Sequence, residues 1–194
     1  MSIYGDPPFS LGQTFGPTTP NDSLVSTSIA SGAYWAGHVK VFTDFNPLTG
    51  AIRSARQKKC IIVRNSSGIT LQARRLVMFK AGSTSEVDGY AALTDAVPAG
   101  VVDEFLTGGV PAGDWFWITV EGPTEINLGA ANNCAIDTDI VAVTAAGSTN
   151  TTAAGRAQTV STTTVAQLRS LVGKALSAAT TAANVLCHVA LPRS

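Results

Sequence analysis

Few side chains in this sequence combine the type and spacing that chemistry requires. Cys60, Cys134 and Cys187 form no CxxC pair and no Cys/His cluster, and the only histidines are His38 and His188. A structural zinc site needs four ligands at close spacing, which this set does not supply. An odd, widely spaced trio reads as buried free thiols made in a reducing compartment, with one disulfide as the lesser alternative. In the run Val185-Leu186-Cys187-His188-Val189, strand alternation sends Cys187 and His188 to opposite faces, the wrong geometry for a nucleophile and its base. Asp103 and Glu104 are adjacent and, in a strand, would diverge in the same way, so they make no carboxylate dyad. Asp137 and Asp139 are the one pair that alternation brings together. A calcium site there lacks further oxygens, and a turn is the default. The sequence contains no GxSxG, HExxH, phosphate loop or dinucleotide fingerprint. The expectation is therefore no catalysis, no cofactor and no metal. Trp115 and Trp117, at i and i+2, share a strand face, where paired rings either stack a base or sugar or anchor a core or an interface.

The elements that would carry these residues follow from composition and punctuation. The 194-residue chain carries 13 basic and 13 acidic side chains, and charged residues are only 13% of it. Zero net charge argues against holding nucleic acid through bulk positive charge. An apolar fraction of 45% suffices for a core and excludes disorder throughout. No apolar run is long enough for a membrane helix, and the first thirty residues lack a basic start followed by an apolar stretch, so neither a span nor a secretory signal is expected.

Residues 1–50 hold five of the nine prolines, interleaved with glycines, yet carry Ile3, Tyr4, Phe9, Leu11, Phe15, Tyr34 and Trp35. Proline and glycine at this density preclude long regular elements. Burying one large apolar side chain is worth roughly 1.5–3 kcal/mol. The reading is an extended N-terminal arm over 1–50 whose aromatic residues lie against a neighbouring subunit, a coat surface or this chain's own body. Phe9, Leu11, Phe15, Tyr34 and Trp35, with Trp115 and Trp117, are the candidate partner-binding residues.

From residue 51 to 194 the pattern is that of strands. Short apolar runs at 59–64, 69–72, 76–79, 87–93, 100–102, 115–122, 125–128 and 140–143 are separated by Gly, Pro, Ser and Asn turn clusters. Strands of this length and spacing predict an all-β domain, a small β barrel or sandwich. The segment 164–179 is ambiguous. Its Val165, Leu168, Leu171, Val172, Ala175 and Leu176 lie at helical spacing, while Gly173 costs a helix about 1 kcal/mol and is compatible with a break between strands.

Charge is balanced overall and segregated locally. Residues 51–80 contain eight bases and no acid, and residues 81–126 contain eight acids and no base. Three readings stand: cross-strand pairing within the chain, a basic face of one subunit meeting an acidic face of the next, or a nucleic-acid surface over 53–80. The last is disfavoured because only Phe79 is interleaved with the bases.

The stretch Ala99-Gly100-Val101-Val102, then Pro111-Ala112-Gly113-Asp114-Trp115-Phe116-Trp117-Ile118-Thr119-Val120-Glu121-Gly122, resembles the head decoration, or cement, proteins of tailed bacteriophages. Leu171-Val172-Gly173-Lys174-Ala175-Leu176 followed by Val185–Leu191 is similar to the closing strands of that family. The resemblance covers about residues 59–191. It implies strand over 171–176 and a virion protein on the outer face of an icosahedral head, made in the host cytoplasm. Its implied partners are the major capsid protein and copies of itself, as a homotrimer, with no membrane and no nucleic acid. The alternative from another class is a receptor- or glycan-binding module of a phage tail or fibre, using Trp115 and Trp117 as a sugar platform. An enzyme is the weakest reading.

Overall fold

The computed structural model describes residues 10–16, 35–89, 98–128, 133–142, 157–159, 171–179 and 184–191. It is all-β. In chain order the strands are β1 (Val39–Phe45), β2 (Ile52–Asn65), β3 (Leu76–Phe79), β4 (Glu86–Gly89), β5 (Gly100–Val102), β6 (Trp115–Asn127), β7 (Asp139–Ala142), β8 (Ala157–Thr159), β9 (Leu171–Ala175) and β10 (Asn184–Ala190). β-Branched and aromatic residues dominate β6, β2 carries the run Ile61-Ile62-Val63, and Gly, Ser or Asn turns separate many of the strands, as strand propensity requires.

The sheet order is β1-β2-β4-β3-β5-β6-β10-β9-β7-β8, and β2 also pairs with β6. That extra pairing closes the ring β2-β4-β3-β5-β6. Inside it, Val63, Val77, Val87, Val102, Phe116, Ile118 and Val120 form one core. The 13-residue strand β6 bends at Gly122, whose φ of +101° suits glycine, and continues past the ring. Its second half pairs with β10, so that β10, β9, β7 and β8 build outward, and a bridge from Leu128 to Ala157 returns β8 to the end of β6. Ile126, Leu128, Ile140, Val172, Val185, Cys187 and Val189 fill this second core. One long strand therefore serves both bodies.

One expectation is corrected here, and one segment left open is assigned. The strands do not begin at residue 51. β1 starts at Val39 inside the stretch read as arm, and its alternating Val-Lys-Val-Phe-Thr-Asp-Phe pairs antiparallel with β2. Residues 171–175 form a strand, against the helical periodicity and in accord with the resemblance. Gly173 is the reason a side chain is absent there: a Cβ would lie 2.0 Å from the His188 carbonyl oxygen, because β9 and β10 run in close register. Residues 164–170 lie outside those described. Residues 69–72 contribute only an isolated bridge at Leu71 to Val110, and 125–128 continues β6 rather than starting a new strand.

Candidate functional site

Alternation along β1, β2 and β6 divides their residues between two faces. One face of β6 carries Phe116, Ile118 and Val120 into the ring core. The other carries Trp115 and Trp117, which join Cys60 and Ile62 of β2, Phe42 of β1, Phe105, Leu11, Phe15 and Trp35 in a third cluster outside the ring. Phe42 meets Trp117 edge to face at 5.1 Å between centroids, and Phe15 meets Trp35 at 6.0 Å. Edge-on contacts of this kind add to the area term.

The described part of the N-terminal stretch, residues 10–16, is a strap over this face. Leu11 is 2% exposed. The Gly12 N–H donates to the Asp103 carboxylate and the Thr14 hydroxyl to Asp114 at 3.0 Å. Phe15 and Trp115 exchange both backbone hydrogen bonds, at 2.9 and 2.6 Å. Gly16 then passes so close that a Cβ would stand 2.6 Å from Asp114 Oδ1.

The candidate partner-binding residues can now be placed. Trp115 and Trp117 are 5% and 0% exposed, so they are spent on this chain's own interior and offer no ring face to a base, sugar or coat protein. Leu11 is buried with them, and Phe15 and Trp35 are half-buried against the same cluster. Phe9 and Tyr34 lie outside the described residues. Of the surfaces the sequence left open for the arm, residues 10–16 lie on this chain's own body, because the apolar surface that Leu11 needs is available there.

At the rim of this face lies a charge cluster that sequence reasoning missed. Glu104 receives Lys58 Nζ at 2.7 Å and both terminal nitrogens of Arg53 at 2.6 and 2.8 Å, while its remaining acceptor capacity is met by the Glu125 N–H and the Thr124 hydroxyl. Arg53 also forks onto Asp44, which takes a further hydrogen bond from Ser54. Lys58, Asp44 and Glu104 are at most 1% exposed. The Lys58 ammonium sits 4.5 Å from the centre of the Phe105 ring. Burial pushes the Glu104 carboxyl upward, but Arg53 and Lys58 outweigh it and hold Glu104 below its ordinary value. Burial likewise opposes the Arg53 charge, and the same carboxylates more than restore it. A network in which each of these charges faces an opposite one locks strands together rather than offering a proton to a substrate. Its sequence signal was the basic block itself, with Arg53 and Lys58 on β2.

Asp103 and Glu104 do diverge, though from a turn after β5 rather than within a strand. Asp103 accepts from Gly12 and Phe105 N–H groups, and burial raises its carboxyl to about 6.

The segregated charges meet within the chain. Arg53 and Lys58 with Glu104, Arg64 with Glu86, Arg74 with Glu125 and Lys80 with Glu86 each join a base of 51–80 to an acid of 81–126. All three cysteines are free and buried, and burial lifts the Cys60 and Cys187 thiols to about 12, far from the thiolate a nucleophile needs. Cys187 points inward while His188 lies on the half-buried face of β10. Asp137 occupies a turn at φ 65°, and Asp139 pairs with Lys174 at 3.1 Å. Among the described residues no group of three or more His, Cys, Asp or Glu is placed to hold a metal ion. No helix among them is long and apolar enough to cross a membrane.

No protein-family model and no curated protein matches the sequence significantly. In structure the chain is similar to the N base of head fibre gp8.5 of bacteriophage phi29, at 14% identity and a TM-score of 0.44, over 70% of this chain and 98% of that one.

Proposed function

We propose that this chain is a structural virion protein that binds the outer surface of an icosahedral phage head, through the major capsid protein, and stabilises the capsid lattice as a homotrimer. The observation that carries the reading joins sequence to fold. The two separated stretches that resemble cement proteins become β5, β6, β9 and β10, and these are contiguous in the sheet, in the order β5-β6-β10-β9. Motifs scattered over the chain thus form one structural unit, as a shared fold requires. A body whose buried charges pair with one another, and whose large aromatics fill its own cores, is built for rigidity, which suits a lattice clamp.

The rival reading, a glycan-binding module, needs exposed ring faces. Trp115 and Trp117 have none, so a sugar platform would have to be built elsewhere.

The test is add-back to heads made without this protein. Purified protein should co-sediment with mature heads to a saturating, lattice-defined copy number and raise their resistance to heat or osmotic shock. Heads that bind no protein, or bind it without gaining resistance, overturn the cementing role. Retention by host-surface glycans with no affinity for heads would establish the rival.

A further inference from the structure

The strap is held by a groove, not by its tether. Leu11 seated beside Phe105 and the two tryptophans, Gly12 on Asp103, Thr14 on Asp114 and the paired backbones of Phe15 and Trp115 define a site for residues 10–16 that any copy of this chain can fill. The strap runs along the β5 side of β6, beyond the point where β5 ends, and it supplies the backbone partner that Trp115 lacks there.

The connection that follows is far longer than closure requires. Phe15 and Trp35 touch, with ring centroids 6.0 Å apart, yet residues 16–34 lie between them. At up to ~3.3–3.6 Å per residue, such a connection reaches on the order of 60 Å when drawn out. Nothing in its length ties the strap to its own body.

We propose that the strap is an exchange element: when copies stand side by side, residues 10–16 of one copy fill the groove of the next, reciprocally or around a ring. Exchange preserves every contact in the groove, so its cost is that of association alone. The covalent connection holds the strap near its own groove at a finite effective concentration, on the order of millimolar, and neighbours compete with the chain's own strap once their local concentration reaches that value. Closed symmetry then satisfies every groove and leaves none empty. The partner is a second copy of this chain, and the inference holds whether or not the protein belongs to a virion.

The test uses the full chain and no other component. Thr14→Cys and Asp114→Cys are placed together in one chain, and the native cysteines, being buried, do not compete. Brief oxidation at roughly millimolar protein should give covalent dimers or larger rings on a denaturing gel, while dilute protein gives the internally linked monomer. Monomer alone at every concentration overturns the proposal. A second variant leaves strap and groove untouched and carries a protease site inserted after Asp22. Native mass spectrometry of concentrated protein should show oligomers that fall to single bodies, each retaining a bound strap peptide, once the site is cut. Oligomers that keep their size after cutting, or none before it, overturn exchange even if the cysteine pair disturbs folding.

Discussion

Lys58 and Glu104, separated by 46 positions in the chain, meet at 2.7 Å in the interior, each 1% exposed. Their contact ties β2 to the turn after β5, across the face that the strap covers. Taking two charges out of water is expensive, and the pair is tolerated because Arg53, Thr124 and the Glu125 N–H complete the shell of Glu104.

Removing one partner leaves the other stranded. Glu104→Gln should destabilise the protein by ~3–5 kcal/mol, because Lys58 loses its 2.7 Å partner inside the fold. Lys58→Met should cost less, since Arg53 still faces Glu104. Urea denaturation of the two variants checks the order, and equal or reversed effects would contradict this account of the cluster.

Asp103 and its neighbour titrate with opposite signs. The folded state keeps the Asp103 proton up to about 6, against an ordinary carboxyl value of 3.8, so the folded state binds more protons in that window. The stability that this group contributes is full below the lower value and is lost as pH rises through the higher one. Glu104 is lowered, so its contribution is present above 4.5 and is lost as pH falls through its folded value. Asp103→Asn should therefore remove a loss of stability between about pH 4 and pH 6 while leaving the acid limb due to Glu104. Melting temperatures across that range for both proteins provide the measurement.

The thiols should be silent in the folded protein. With Cys60 and Cys187 raised to about 12 by burial and Cys134 raised by the same cause, a thiol reagent at neutral pH should label none of them until denaturant is added. All three should then react. Rapid labelling of the native protein would mean that the second core or the strap-covered cluster opens readily.

The seam between β9 and β10 has no room for a methyl group. Gly173→Ala places a Cβ 2.0 Å from a backbone oxygen that cannot move aside without parting the strands, so a loss of ~1–3 kcal/mol or more is expected. Hydrogen exchange should show faster opening at Val189 and Cys187 than at Ile62 and Ile118 of the ring. Protection unchanged in β10 would disprove this packing.

Strand positions were legible locally because β-branched and aromatic runs bounded by turn residues decide them with little help from the rest of the chain. The runs at 59–64, 76–79, 100–102 and 115–122 fall inside β2, β3, β5 and β6. The free, buried thiols were legible too, since spacing alone withholds partners from Cys60, Cys134 and Cys187. β1 was missed although Val39–Phe45 alternates, because the prolines and glycines around it suggested an arm. Helical spacing left 171–175 open because a stretch of Val, Ala and Leu fits both periods, and only the crowding of His188 against Gly173 decides between them.

Partnership between distant residues was beyond the sequence. The basic and acidic blocks were visible, but that Arg53 and Lys58 converge on Glu104 follows from β2 closing the ring against β6. Leu11 and the paired tryptophans had the composition of contact residues wherever they stood. Tertiary structure alone made them neighbours, because a side chain's period sets its face, whereas ring closure sets what lies opposite that face.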